Sequence, residues 1–436
     1  MTDPAAAFEA ERKSRSSEPV VDPDYPVTPV PSHAKKSFFS LMVVLLGFTI
    51  FTPTMLAGAQ LGGEFGLNEL MVIIAVGSVI LGGYVALIGW IGAKTGLTTV
   101  VMARFTLGDR GSKLASLLLG GTQIGWYGVV IGEIGTLTAA AFGWESFAAK
   151  AAVMIITSAL MCATACYGYH GMYWVSLIST PLILILAFWV MFRAFSHGGG
   201  WGAIAELDPN GTMSIATGIT IVVGTFISAG SQAPNWTRFA KTGTQAVIAC
   251  LVGFLIGNAL MIFFGAIGSI TFGVSDFVQV LFQLGMVGWG LFLLFGNLWK
   301  SNADTAYAFG VAGAEMFEKP TKIPFVIGGS IIGTVLALIG IADYLPQYLG
   351  LLGTFIPPLG GVIIGDYFAR WRRTQMPIDE PLPHFNWANL AIYVVACVLA
   401  WFAGAFEIGI PPVIGVLSAG VLAVVCARLS PRRASA

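Results

Sequence analysis

The chain has 436 residues, of which 56% are hydrophobic and 10% charged, with 22 basic and 22 acidic side chains and a mean hydropathy of +0.81. A water-soluble domain of this length needs more charge to coat its surface, so the composition points to a polytopic membrane protein. Zero net charge argues against nucleic acid as a partner. Five cysteines (Cys162, Cys166, Cys250, Cys397 and Cys426) all lie in apolar runs, which favours packing over a disulfide framework or a zinc centre.

In chain order, residues 1–36 are polar and Pro-rich and read as a disordered cytoplasmic tail, neither signal peptide nor span. A bilayer core takes about 20 apolar residues per helix. Twelve such segments begin near Phe38, Met71, Ala115, Ala151, Trp174, Met213, Ala246, Val287, Ile323, Tyr344, Trp387 and Pro411. The basic residues fall on alternate sides of them. One side holds Arg12, Lys13, Arg15, Lys35, Lys36, Lys94, Arg104, Arg110, Lys113, Arg238, Lys241, Lys319, Lys322, Arg370, Arg372, Arg373, Arg428, Arg432 and Arg433, and the other only Lys150 and Arg193. By the positive-inside rule both termini are cytoplasmic, and the chain crosses the cell (inner) membrane an even number of times.

Two spans are interrupted. Span one contains "GFTIFTPTM", with Gly47 and Pro53, and span six contains "GTFISAGSQAPNW", with Gly224, Gly230 and Pro234. Freed backbone groups at membrane depth are tolerable only where they face protein, ligand or a wet cavity. Interruptions five spans apart fit an inverted repeat of spans one to five and six to ten. Close helix packing by glycine is the plainer alternative.

Polar side chains at membrane depth are costly and point to function. In span eight, Asn297, Lys300, Ser301 and Asp304 share one helical face, with Lys300 and Asp304 spaced to pair. In span three, "GGTQIGWYGVVIGEIG" places Gln123, Trp126 and Glu133 on one side. An amide beside an indole suits a flat, hydrogen-bonding heterocycle, the ring stacking and the amide reading its edge. Phe226, close to Thr225 and Ser228, offers a second stacking wall; core packing is the plainer reading of each ring. The four histidines (His33, His170, His197 and His384) are scattered and no nucleophile motif appears. An enzyme reading therefore fails, and a solute carrier is expected, with no cofactor.

Four stretches carry a family resemblance: "IGAKTGLTTVVMARFTLGDRGSKLASLLLGGTQIGWYGV", "VVGTFISAGSQAPNWTRFAK", "GNLWKSNADTAYA" and "IPPLGGVIIGDYF". They closely resemble the nucleobase:cation symporter family of purine and cytosine permeases, its bacterial cytosine permeases most. The resemblance implies an all-α, LeuT-type fold of twelve transmembrane helices, 5 + 5 inverted plus two, working by alternating access. The transporter core is then 37–369, in repeats at about 37–195 and 212–369. A cytoplasmic loop (370–385), two further helices (386–429) and a tail (430–436) follow it. The resemblance also implies that Trp126 and Phe226 sandwich a small nucleobase, with Gln123, Asn297, Ser228 and the Thr225 backbone at its edge. In sodium-coupled members the cation site maps to the carbonyls of Gly47 and Phe51 with Asn297, Lys300 and Ser301. A lipid-embedded monomer is expected.

The sequence departs from the family pattern at Lys300, where the resembling permeases have a small hydroxyl residue, and at Asp304, where theirs is neutral. An ammonium within about 4 Å of a sodium ion repels it by several kcal/mol at intermediate dielectric. A Na+ site is thus in doubt. Three couplings stay open: protons through Lys300, no cation, or residual sodium. Glu133, apolar in the relatives, is either an outer proton relay or a residue capped by a neighbouring helix. Cytosine is the expected substrate; a purine, a hydantoin or a vitamin precursor is the alternative.

Overall fold

Helices that are apolar on every side must lie inside a protein or a bilayer. The chain is built from such helices. The computed structural model describes residues 28–167, 170–207, 211–274, 277–317, 319, 321–372, 376 and 380–429, without the side chains of 167–180, Leu293, Lys300 and Glu315. Among them every regular element is a helix, and the one β feature is an isolated Lys36–Ala240 bridge.

The helices are α1 (Phe38–Thr49), α2 (Thr52–Gly62), α3 (Leu67–Thr95), α4 (Thr99–Leu107), α5 (Ser112–Ala141), α6 (Phe147–Tyr167) and α7 (His170–His197). They continue with α8 (Ile215–Ser231), α9 (Gly243–Phe272), α10 (Val287–Met316), α11 (Ile323–Leu338), α12 (Leu345–Phe355), α13 (Pro357–Asp366), α14 (Trp387–Ala405) and α15 (Pro411–Leu429). Short turns join several of these, and α9 carries a π-helical stretch at Leu251–Gly257. By length and apolar character alone, seven helices among the described residues can cross a membrane, or eight if α1 and α2 count as one bent span.

The α1–α2 break has a local cause. A continuous helix would drive the Pro53 ring into the Thr49 carbonyl. The chain instead extends at Ile50 and Phe51 and restarts at Thr52, with a bend of 49°. The second interruption lies later than its glycines suggest. Helix α8 runs unbroken through Gly224 and Gly230 and ends at Ser231, three residues before Pro234. Gly224 serves packing: a Cβ there would collide with the Leu349 carbonyl of α12.

Contacts sort most of the helices into two groups. Helices α1, α2, α3, α8 and α9 pack on one another; α5, α6, α10 and α11 form the second group, and α7 touches both. Helix α12 lies along α8, and α13 packs with α14 and α15. Within the first group α2 and α9 approach so closely that a Cβ on Gly58 would strike the Ile262 carbonyl, and one on Gly265 the Met55 carbonyl. The segment expected to be a loose tail divides. Residues 1–27 lie outside the described residues. Residues 28–36 are pinned: the Val30 N–H donates to the Gly96 carbonyl (3.2 Å), Lys36 N–H to Phe239 (2.8 Å) and the Lys35 ammonium to Arg238 (2.6 Å). Burial, with the Arg238 charge beside it, holds the Lys35 ammonium below its ordinary range.

Gly58→Val forces the α2–α9 contact apart, at about 1–3 kcal/mol or more for an overpacked contact. Size-exclusion chromatography and thermal unfolding should show loss of monodisperse, stable protein. Gly83→Ala, at a position with nothing within 4 Å of the new Cβ, should leave both unchanged.

Candidate functional site

A broken helix at membrane depth needs partners for the backbone groups it frees. Asn297 of α10 supplies them. Its Oδ1 accepts from the Thr52 N–H and the Thr52 hydroxyl, both at 3.2 Å, and its Nδ2 donates to the Ile50 carbonyl at 3.2 Å. The side chain is buried. It thus bonds both sides of the break and ties the first group to the second.

With the break fixed, Phe51 is aimed inward. Its ring lies 5.8 Å from Trp126 of α5 and 6.3 Å from Phe226 of α8, both edge-on. Phe48 meets Phe226 at 5.7 Å. Trp126 and Phe226 therefore belong to one buried aromatic cluster, one ring from each group, with Phe51 touching both. Edge-to-face rings at such separations are attractive beyond their area burial.

The predicted polar residues divide around this cluster. Gln123 is buried one turn from Trp126, and its amide has no hydrogen-bond partner among the described residues. A buried amide without a protein partner can read a ligand edge. Ser228 faces α5, its hydroxyl bonded to that of Thr122 at 2.5 Å. The Thr225 hydroxyl turns away, donating to the Val222 carbonyl (2.7 Å) and meeting Asn258 Oδ1 of α9 at 3.0 Å. Gly47 lies in the last turn of α1, and Phe51 lies at the break between the two residues that Asn297 bonds. Ser301 and Asp304 are partly buried one and two turns further along α10. The Lys300 side chain lies outside the described residues, and with it the expected pairing to Asp304. Glu133 is buried in α5.

Two residues escaped the sequence reading. The Tyr348 hydroxyl of α12 donates to the Thr122 carbonyl at 2.5 Å, and its ring lies 6.0 Å from Trp126. Tyr348 fills the space left by Gly125, where a Cβ would strike its hydroxyl. The available signal was a lone tyrosine in "LPQYLGLLGTF", since a buried hydroxyl in a membrane segment must find an acceptor.

Asn297→Ala leaves the Thr52 N–H and the Ile50 carbonyl buried without their partner. At about 1–3 kcal/mol for each unsatisfied group, the unfolding temperature of the purified protein should fall by several degrees, whether or not substrate is present. An unchanged unfolding temperature would remove Asn297 from its bridging role.

Residues 29–424 match the family model described as permease for cytosine/purines, uracil, thiamine and allantoin. The cytosine permease of Escherichia coli strain K12 is 35% identical over 396 residues, covering 91% of this chain and 92% of its own. The hydantoin permease of Microbacterium maritypicum is 24% identical, over 83% and 81% of the two chains. Among solved structures, the inward-facing conformation of Mhp1 superposes with a TM-score of 0.81 at 20% identity, over 95% of this chain and 94% of that one. Mhp1 in a closed conformation with bromovinylhydantoin bound gives 0.78. Two groups of helices, joined at a broken helix and an aromatic cluster, are thus the fold of a known transporter, and the chain belongs to the cytosine/purine permease family of membrane transporters.

Proposed function

We propose that the chain imports cytosine or a closely related nucleobase as a secondary active transporter, by alternating access between the two helix groups. The observation that carries this reading is the Gln123 amide, without a hydrogen-bond partner among the described residues, one turn from Trp126 at a junction where Phe51 touches both Trp126 and Phe226 of the other group. A flat base replacing the Phe51 contacts would stack on these rings while Gln123 and Ser228 read its edge. Stacking tolerates any base, so Gln123 carries the discrimination. The 35% identity to a cytosine permease supports cytosine. The alternative is a hydantoin or purine, supported by the hydantoin permease and by Mhp1 with its bound hydantoin.

The proposal includes twelve spans in two inverted repeats of five plus two, both termini in the cytoplasm of the inner membrane, and a monomer. The interruptions at Ile50–Phe51 and at Gln232–Ala233, in segments five spans apart, support the repeat. For coupling, Lys300 takes the place of sodium as the charge near the α1 C-terminus. Release of the proton from that ammonium would make transport proton-coupled.

Uptake of labelled cytosine into proteoliposomes tests this, with proton and sodium gradients imposed separately. Accumulation driven by protons and indifferent to sodium is expected; accumulation driven by sodium would reject Lys300 as the built-in cation. Lys300→Thr should introduce a sodium response. Trp126→Ala should lower apparent affinity roughly 5- to 150-fold, from a stacking contribution of about 1–3 kcal/mol per base. Competition by hydantoins or purines stronger than by cytosine would favour the alternative substrate.

A further inference from the structure

At the Lys- and Arg-rich end of the molecule, away from the aromatic cluster, Trp90 of α3 stacks on Phe368, just after α13, with ring planes 3° apart and centroids at 6.0 Å. Each ring carries a cation from one helical turn further on: Lys94 Nζ lies 5.7 Å from the Trp90 ring and the Arg372 guanidinium 5.5 Å from Phe368. The backbone at Gly243 fits against both Trp90 and Lys94, with no room for a Cβ beside the indole. Lys241, exposed, stands two residues earlier.

Three features make this more than a basic edge. Lys94, Lys241 and Arg372 are all exposed, and none pairs with a carboxylate among the described residues. The Trp90 indole N–H has no acceptor among them either, although the ring is half-buried. Finally, the cations on the rings come from two separate chain segments, Lys94 of α3 and Arg372 after α13, and Lys241 stands two residues before the Gly243 backbone that fits against Trp90. Aromatic rings at the depth of the headgroups, with unpaired basic side chains just beyond them, match an acidic lipid headgroup above its acyl chains.

We propose that Trp90, Lys94, Lys241 and Arg372 form a binding site for the phosphodiester headgroup of an anionic phospholipid in the cytoplasmic leaflet. The cations hold the phosphate, the indole N–H donates to one of its oxygens, and the aromatic pair covers the first acyl carbons. Trp90, Lys94 and Lys241 flank the first helix group, whereas Phe368 and Arg372 follow α13, which packs with α14 and α15. A lipid bound here bridges the two. The inference rests on the proposed topology and not on the identity of the substrate.

Native mass spectrometry of the full-length protein, titrated with phosphatidylglycerol or phosphatidylcholine, tests it. The wild type should retain phosphatidylglycerol in preference to phosphatidylcholine. Lys94→Gln with Arg372→Gln should weaken that preference by roughly fivefold for each cation removed. Lys319→Gln with Arg428→Gln, the same loss of charge elsewhere on that side, should preserve it. Trp90→Phe keeps the ring and should give a smaller loss. Thermal unfolding gives a second reading: added phosphatidylglycerol should raise the unfolding temperature of the wild type but not that of the Lys94/Arg372 variant. Equal losses in the two double variants would reduce the effect to general charge attraction and overturn the site. So would equal retention of the two lipids by the wild type.

Discussion

The three hydrogen bonds that join Asn297 to Ile50 and Thr52, one donated by its amide and two accepted, are the constraint on which the rest of the site depends. An interrupted membrane helix leaves donors and acceptors where no bulk water can meet them. An amide is the side chain that serves both sides of such a gap, since it offers an acceptor and a donor together. With both sides bonded, the extended residues are held in one arrangement and Phe51 is fixed between Trp126 and Phe226. Without it the aromatic cluster would have no defined third ring.

The two helix groups differ in how they are joined inside and between. Inside the first, backbones meet at Gly58 and Gly265 so closely that no side chain fits. Such interfaces do not slide; they move as units, because close-packed contacts are not continuously deformable. Between the groups the connections described above are edge-on rings and hydrogen bonds: Asn297 to the break, Thr122 to Ser228, and the Phe51–Trp126 contact. Hydrogen bonds of this kind can be exchanged at small net cost for equivalent bonds to a ligand. Rigid groups with an exchangeable junction are what alternating access requires.

Much of this was legible in the sequence where one residue dictates the outcome by itself. Pro53 cannot sit inside a continuous helix, so the first break stands where the sequence put it. Gly224 and Gly230 are permissive only; the same residue type serves a break or a close contact. Their helix stays intact to Ser231, three residues before Pro234. Chemistry and spacing single out Trp126, Phe226 and Gln123, and the structure buries all three, with Phe51 touching both rings. Tyr348 and Thr122 are not singled out, since their bond joins segments 226 positions apart and neither residue is unusual in its own stretch. The family pattern assigns Asn297 to both the substrate edge and the cation site. Its amide is engaged with the break, whereas Gln123 has no hydrogen-bond partner among the described residues.

The same junction sets the terms for coupling. Helix α1 ends at Thr49 with its carbonyls directed at the break, the negative end of its dipole. A positive charge there stabilises the closed junction whether it is a sodium ion or, on the proposed reading, the Lys300 ammonium. The two differ in how they leave. Sodium departs by hydration, so the junction loosens whenever the ion is released to one side. An ammonium tethered to α10 cannot depart, and its attraction ends only when the proton does or when the side chain swings away. On that reading a tethered cation would make the joined state the default, and opening would wait on a proton instead of a dissolved ion. On the same reading residual sodium binding would have to compete with a tethered charge at high local concentration, which would make proton coupling and sodium coupling alternatives at this site.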